Sequence, residues 1–219
     1  MMLIYTLTTW IIPLYLCIIF HEIAHGYIAL KLGDKTAWLM GRLNLNPVKH
    51  FDLIGCLIFP LFLLIIKAPM LFGWAKPVPV DFSRLNNPKR DTGLVAAAGP
   101  LANLLLAVIF VLLGHLILLI LPHDLSATVW LIQNVKNGVS FSLILTCFNL
   151  LPILPMDGGR ILWSILPKKY ADKYAQTEKY GLFVLIGVLF LLPMLGLDVV
   201  SWFIGTLYPI LAQFVSLFV

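Results

Sequence analysis

Long apolar runs, rather than an alternating or helical period of polar residues, set the architecture of this chain. Leu3 to about Leu30 reads as a first transmembrane helix, with Pro13 tolerated as a kink and Gly33-Asp34 closing it. Leu94 to Leu121 is the strongest apolar run and reads as a second span. Val139 to Leu151 begins a third, breaks at Pro152 and Pro155, and stays apolar around Asp157-Gly158-Gly159 as far as Leu166. Tyr180 to Leu195 and Val199 to Val219 supply two more. Leu53 to Ile66 is apolar too, yet its about fourteen residues fall short of the ~20 that a span needs, and Gly55 and Pro60 interrupt it. That length predicts a re-entrant element. Arg42 to Asn46 alternates polar and apolar, and Trp74 to Val80 carries Pro77 and Pro79, so both read as short strands, the second on an edge. The expected fold is an all-α polytopic membrane protein of about five transmembrane helices, with a re-entrant segment and short membrane-associated β-strands.

Composition agrees. The chain is 61% hydrophobic and 11% charged, with a mean hydropathy of +0.98, where a soluble domain carries about 25% charged residues. The longest polar stretch, 73–93, is too short for a separate soluble domain, which usually needs ~50 residues. Residues 1–219 therefore form one membrane-embedded domain, with a core at about 3–166 and two further transmembrane helices at about 180–219. Residues 1–20 lack the basic start and small-residue cleavage site of a signal peptide and are expected to stay attached. Cys17, Cys56 and Cys147 are scattered in or beside apolar runs and behave as small hydrophobes.

The net charge of +5 is informative about orientation. If residues 53–66 crossed the bilayer, basic residues would divide 5 against 9, with Lys67 unassigned. If that segment dips in and returns, 14 basic residues share one face and only Lys136 lies on the other. The positive-inside rule selects the second arrangement, with the basic loops in the cytoplasm. Basic residues confined to short loops make no exposed basic face, so nucleic acid is not an expected partner.

His21-Glu22-Ile23-Ala24-His25 lies inside the first span, where ionisable side chains are costly and mark function by default. At i and i+4 the two histidines project from one helix face, a spacing that holds one zinc ion and leaves Glu22 as a base. Lys31 follows six residues after His25, so the site lies below the cytoplasmic boundary of the membrane. Zinc needs a third protein ligand and an open position for water. Most other acids lie in or beside loops or interfaces; Asp157 instead follows the proline-broken third span, where irregular backbone is tolerated if it lines a cavity. Gly158 and Gly159 would allow a tight turn around an ion, although Asp157 could also simply cap the helix that follows.

His21-Glu22-Ile23-Ala24-His25 together with Asn149-Leu150-Leu151-Pro152-Ile153-Leu154-Pro155-Met156-Asp157-Gly158-Gly159 resembles the site-2 protease family of intramembrane zinc metalloproteases. Gly99-Pro100-Leu101-Ala102-Asn103 is similar to that family's Gly-Pro-x-x-Asn element, and Arg42 to His50 and Gly73 to Val80 resemble its compact bacterial members. The resemblance covers roughly residues 15–165, with no PDZ or CBS module. It implies one zinc per chain on His21, His25 and Asp157, Glu22 as general base, and Asn149 as an oxyanion donor or a holder of the substrate backbone. Asn103 is implied to bind substrate; interhelical hydrogen bonding is the alternative for both asparagines. The implied activity is endoproteolysis of transmembrane or membrane-anchored proteins in the lipid bilayer, from a site toward the cytoplasmic side of the cell membrane. A non-proteolytic metal-binding scaffold or transporter is the competing reading, although no inverted repeat is visible. His50 lies in a cytoplasmic-side turn, and His115 and His123 belong to the external end.

Overall fold

The computed structural model describes residues 2–66 and 73–218. Lys67, assigned above to the basic face, lies outside the described residues. Among the described residues, seven longer helices organise the fold: α1 (Met2–Lys31), α2 (Ile54–Ile65), α3 (Pro88–Ile120), α4 (Ser126–Asn149), α5 (Asp157–Ile165), α6 (Lys168–Met194) and α7 (Val199–Ser216). Of these, α1, α3, α6 and α7 are long and apolar enough to cross a membrane. Only 39% of the most apolar window of α3 and 11% of that of α7 is buried, so the remaining apolar surface needs lipid around it.

Four such helices stand against the about five expected: the third expected span, read from Val139, falls in α4, which begins at Ser126 and is not apolar enough to join them. Gln133, Asn134 and Asn137 lower its apolarity, and the structure explains their presence. Pro13 has no N–H to give to Thr9 four residues earlier, and the Asn137 amide donates to that freed Thr9 carbonyl at 2.6 Å. Gln133 donates to Asn137 Oδ1 at 3.0 Å, and Trp130 Nε1 donates to Thr8 at 2.9 Å. Trp130 and Asn137, the latter steadied by Gln133, thus turn toward α1 instead of lipid.

Helices α1, α3 and α4 pack against one another around Cys17, Leu106, Phe110, Ile117 and Val135. On the other side of α3 and α4, Ala107, Val108 and Leu143 meet Val215 of α7. Leu151, Leu185, Leu189 and Val200 join the α4–α5 turn to α6 and α7. Short helix α5 docks on α3.

The expected β-strands are not formed: no strand occurs among the described residues. Arg42 to Asn46 is a turn held by its own side chains, with Asn44 Oδ1 accepting from Asn46 N–H and the Asn44 amide donating to the Gly41 carbonyl. Residues 73–81 run as a strap with no ladder partner. Pro77 and Pro79 cannot donate to one, and the donors on either side are spent singly: Trp74 N–H on the Gly55 carbonyl and Lys76 N–H on that of His50.

Helix α2, read above as re-entrant, is a short apolar helix outside the set long enough to cross. Its twelve residues rise ~18 Å, short of a ~30 Å hydrocarbon core. Asp52 caps its start through Gly55 N–H at 2.6 Å, and Trp74 returns to the same Gly55. Both α2 and α6 widen to a π-turn just ahead of a proline, over Ile54–Ile58 before Pro60 and over Gly187–Leu191 before Pro193.

Candidate metal centre

The imidazoles of His21 and His25 rise from adjacent turns of α1 with Nε2 atoms 3.0 Å apart. Asp157, the first residue of α5, reaches both: Oδ2 lies 3.2 Å from His21 Nε2 and Oδ1 lies 3.4 Å from His25 Nε2. The three side chains are at most 12% exposed, and their ligating atoms all lie within 4.8 Å of one another. The fit to a metal follows from three further observations. Asp157 Oδ2 is buried with no hydrogen-bond donor. Gly99 of α3 faces the imidazole pair, and a Cβ there would run into both rings. Each ring is also held from behind.

His25 Nδ1–H donates to the Val95 carbonyl at 2.7 Å, which leaves Nε2 its lone pair. Behind His21, the fully buried Asn103 amide lies 3.2 Å from Nδ1. A metal on Nε2 requires the proton on Nδ1, and turning the Asn103 amide over brings its otherwise unpartnered Oδ1 to receive that proton. Asn103, expected to touch substrate, is therefore buried against a ligand and does not line the cavity.

Glu22 opens into a cavity of about 440 Å³ together with His21, His25, Asn149, Asp157 and Arg160. Its Oε2 accepts the Val78 N–H at 2.6 Å, so the strap is fastened to the carboxylate itself. Asn149, at the end of α4, lines the same cavity while its amide donates to Leu145 of its own helix at 3.0 Å. Asp157 is brought here by the loop 150–156, whose Leu154-Pro155 bond is cis. Gly158 and Gly159 serve this placement differently from the sequence expectation. Both are helical, and a Cβ on either would collide with the backbone of residues 150–154. They permit close packing rather than a turn around an ion.

Three participants escaped the sequence reading. Arg160 lies one turn after Asp157, lines the cavity, pairs with Glu178 at 2.6 Å and stacks under Phe82 at 4.6 Å. Its spacing from Asp157 was the available signal. The Val78 N–H and the Val95 carbonyl are backbone groups, and only the prolines flanking Val78 mark one of them in the sequence. His50 is 2% exposed, with Nε2 on the Asn44 carbonyl at 2.8 Å, and does not line this cavity.

Residues 120–194 match the sequence model of Peptidase family M50. A Bacillus subtilis (strain 168) protein named "Putative zinc metalloprotease YwhC" is 40% identical over 190 residues, which cover 84% of this chain and 80% of that one. A Mycobacterium tuberculosis (strain H37Rv) protein named "Putative zinc metalloprotease Rip2" is 30% identical over 203 residues, covering 91% and 70%. "Zinc metalloprotease MJ0392" of Methanocaldococcus jannaschii is 26% identical over 169 residues, 77% of this chain but 37% of its own length. No solved structure matches the chain.

Proposed function

This chain belongs to peptidase family M50, the site-2 protease family of membrane zinc metalloproteases, and on that premise we propose that it hydrolyses peptide bonds of transmembrane or membrane-anchored proteins at the His21–His25–Asp157 centre. The observation that carries the reading is the convergence of these three side chains beside Glu22 in one cavity, within helices that need lipid around them.

His21, His25 and Asp157 would hold the zinc. Zinc held there supplies Lewis acidity, lowering the pKa of a water and polarising a carbonyl. Glu22 is the general base: with Oε2 held by Val78, Oε1 is left to take the proton of the attacking water and return it to the leaving amide nitrogen. Asn103 orients His21 from behind. Asn149 lines the cavity with one amide N–H given to Leu145 of its own helix, which leaves a second N–H and a carbonyl oxygen for the substrate backbone. A substrate helix satisfies its own amides, so it must unwind before a bond can reach Glu22. Residues 1–219 act as a single domain whose catalytic groups lie toward the cytoplasm, as the clustering of basic residues supports.

The test is Glu22→Gln in the detergent-solubilised or reconstituted protein, with a membrane-anchored peptide as substrate. Zinc content should match the unsubstituted protein while cleavage is lost. A Glu22→Gln protein that still cleaves at the full rate would overturn the assignment.

A further inference from the structure

Arg42 is 8% exposed, and no carboxylate among the described residues forms an ion pair with it. A guanidinium taken out of water without a counter-charge is strongly unfavourable, so its surroundings must answer it. What it meets is two consecutive carbonyls of the strap: Nη2 donates to Lys76 O at 3.1 Å and to Pro77 O at 3.2 Å. Pro77 O and Val78 N belong to one peptide unit. That unit is trans, since the one cis bond among the described residues is Leu154-Pro155, so its C=O and N–H point opposite ways. The N–H end donates to Glu22 Oε2 at 2.6 Å. A cation and a carboxylate thus grip the two ends of the same dipole, each polarising it in the sense that strengthens the other.

We propose that Arg42 is a positioning residue for proteolysis, the counter-ion of Glu22 acting through the single peptide unit Pro77–Val78. The inference rests on the reading of Glu22 as the base. Arg42 fixes the strap so that Val78 N–H holds one carboxylate oxygen and leaves the other aimed at the cavity. The flanking prolines serve the same end: neither residue 77 nor residue 79 offers an N–H, so Glu22 cannot be met in a neighbouring register.

The experiment measures kcat, KM, zinc content and thermal midpoint for the full-length protein with a membrane-anchored peptide. Arg42→Ala should lower kcat on the order of 10- to 100-fold with KM within about twofold, while zinc content and midpoint hold. Added methylguanidinium should restore part of that rate. Arg84→Ala removes an exposed cation at the other end of the strap, paired only with Asp81, and should leave the rate unchanged. If Arg42→Ala does not accumulate, Arg42→Lys carries the test. Both carbonyls are met by the outermost nitrogen Nη2, which the shorter lysine does not reach in the same place, and kcat should fall with zinc retained. Full activity in the Arg42 variant overturns the proposal. So does a loss accompanied by loss of zinc, or one that methylguanidinium leaves unrestored in the alanine variant. Failure of the underlying reading is separate: there Glu22→Gln itself would keep the full rate.

Discussion

Both histidines are held by their second nitrogen, and the two holders differ in kind. Val95 offers a backbone carbonyl to His25, which no side-chain substitution removes. Asn103 offers a side chain to His21, deep in the helix contact, and is the replaceable half of the arrangement. Asn103→Ala should therefore leave the helices in place yet weaken zinc binding by about 10- to 100-fold, read by competition with a chelating dye. A loss of cleavage at saturating zinc with unchanged zinc affinity would instead return Asn103 to the substrate-contacting role expected from the sequence.

Among the elements, α1 and α4 show how a helix broken at one backbone position is mended from its neighbour. Pro13 frees the Thr9 carbonyl, and Asn137 claims it. Asn137→Ala should destabilise the protein by about 1 kcal/mol, the usual scale of an interhelical hydrogen bond in a membrane protein. In a Pro13→Ala background, where residue 13 regains its N–H, the same change should cost less, and a double-mutant cycle of unfolding measures the difference. Equal effects in both backgrounds would mean that Asn137 acts by packing alone. The same pair explains why the start of α4 was misread. Gln133, Lys136 and Asn137 look like the end of a loop when judged by hydropathy, because the partner that makes two of them tolerable lies more than a hundred residues away. The strap, read as an edge strand from its two prolines, fails as one for a related reason: its groups are taken one at a time by Glu22, Arg42 and His50.

At the scale of the whole molecule, the metal centre ties α1 to α5 across the face of α3. Stripping zinc with a chelator should lower the thermal midpoint, and adding zinc back should restore it in a concentration-dependent way, since a ligand that binds only the folded state stabilises it. A midpoint indifferent to zinc would show that α5 is seated by packing alone. The side-chain part of the centre was legible in advance because burial in lipid makes His21, Glu22, His25 and Asp157 stand out against their neighbours. Long apolar runs likewise disclosed the four helices long enough to cross and the shorter apolar α2. What stayed hidden was Arg160 and two backbone groups, the Val78 N–H and the Val95 carbonyl, which have no side-chain signature of their own.

His21 and Asp157 lie about 136 residues apart, and that distance has a meaning in time. A ribosome delivers the first helix, with both imidazoles and the base, long before it delivers the carboxylate that completes their set. At ~5–20 residues per second the interval is on the order of ten seconds. Throughout it the newborn chain lies in a membrane full of other proteins without a finished cutting centre. On the proposed reading of the site, activity begins only when synthesis has passed Asp157 and α5 has docked on α3, so the separation of these side chains along the chain delays the enzyme until its own surroundings are built.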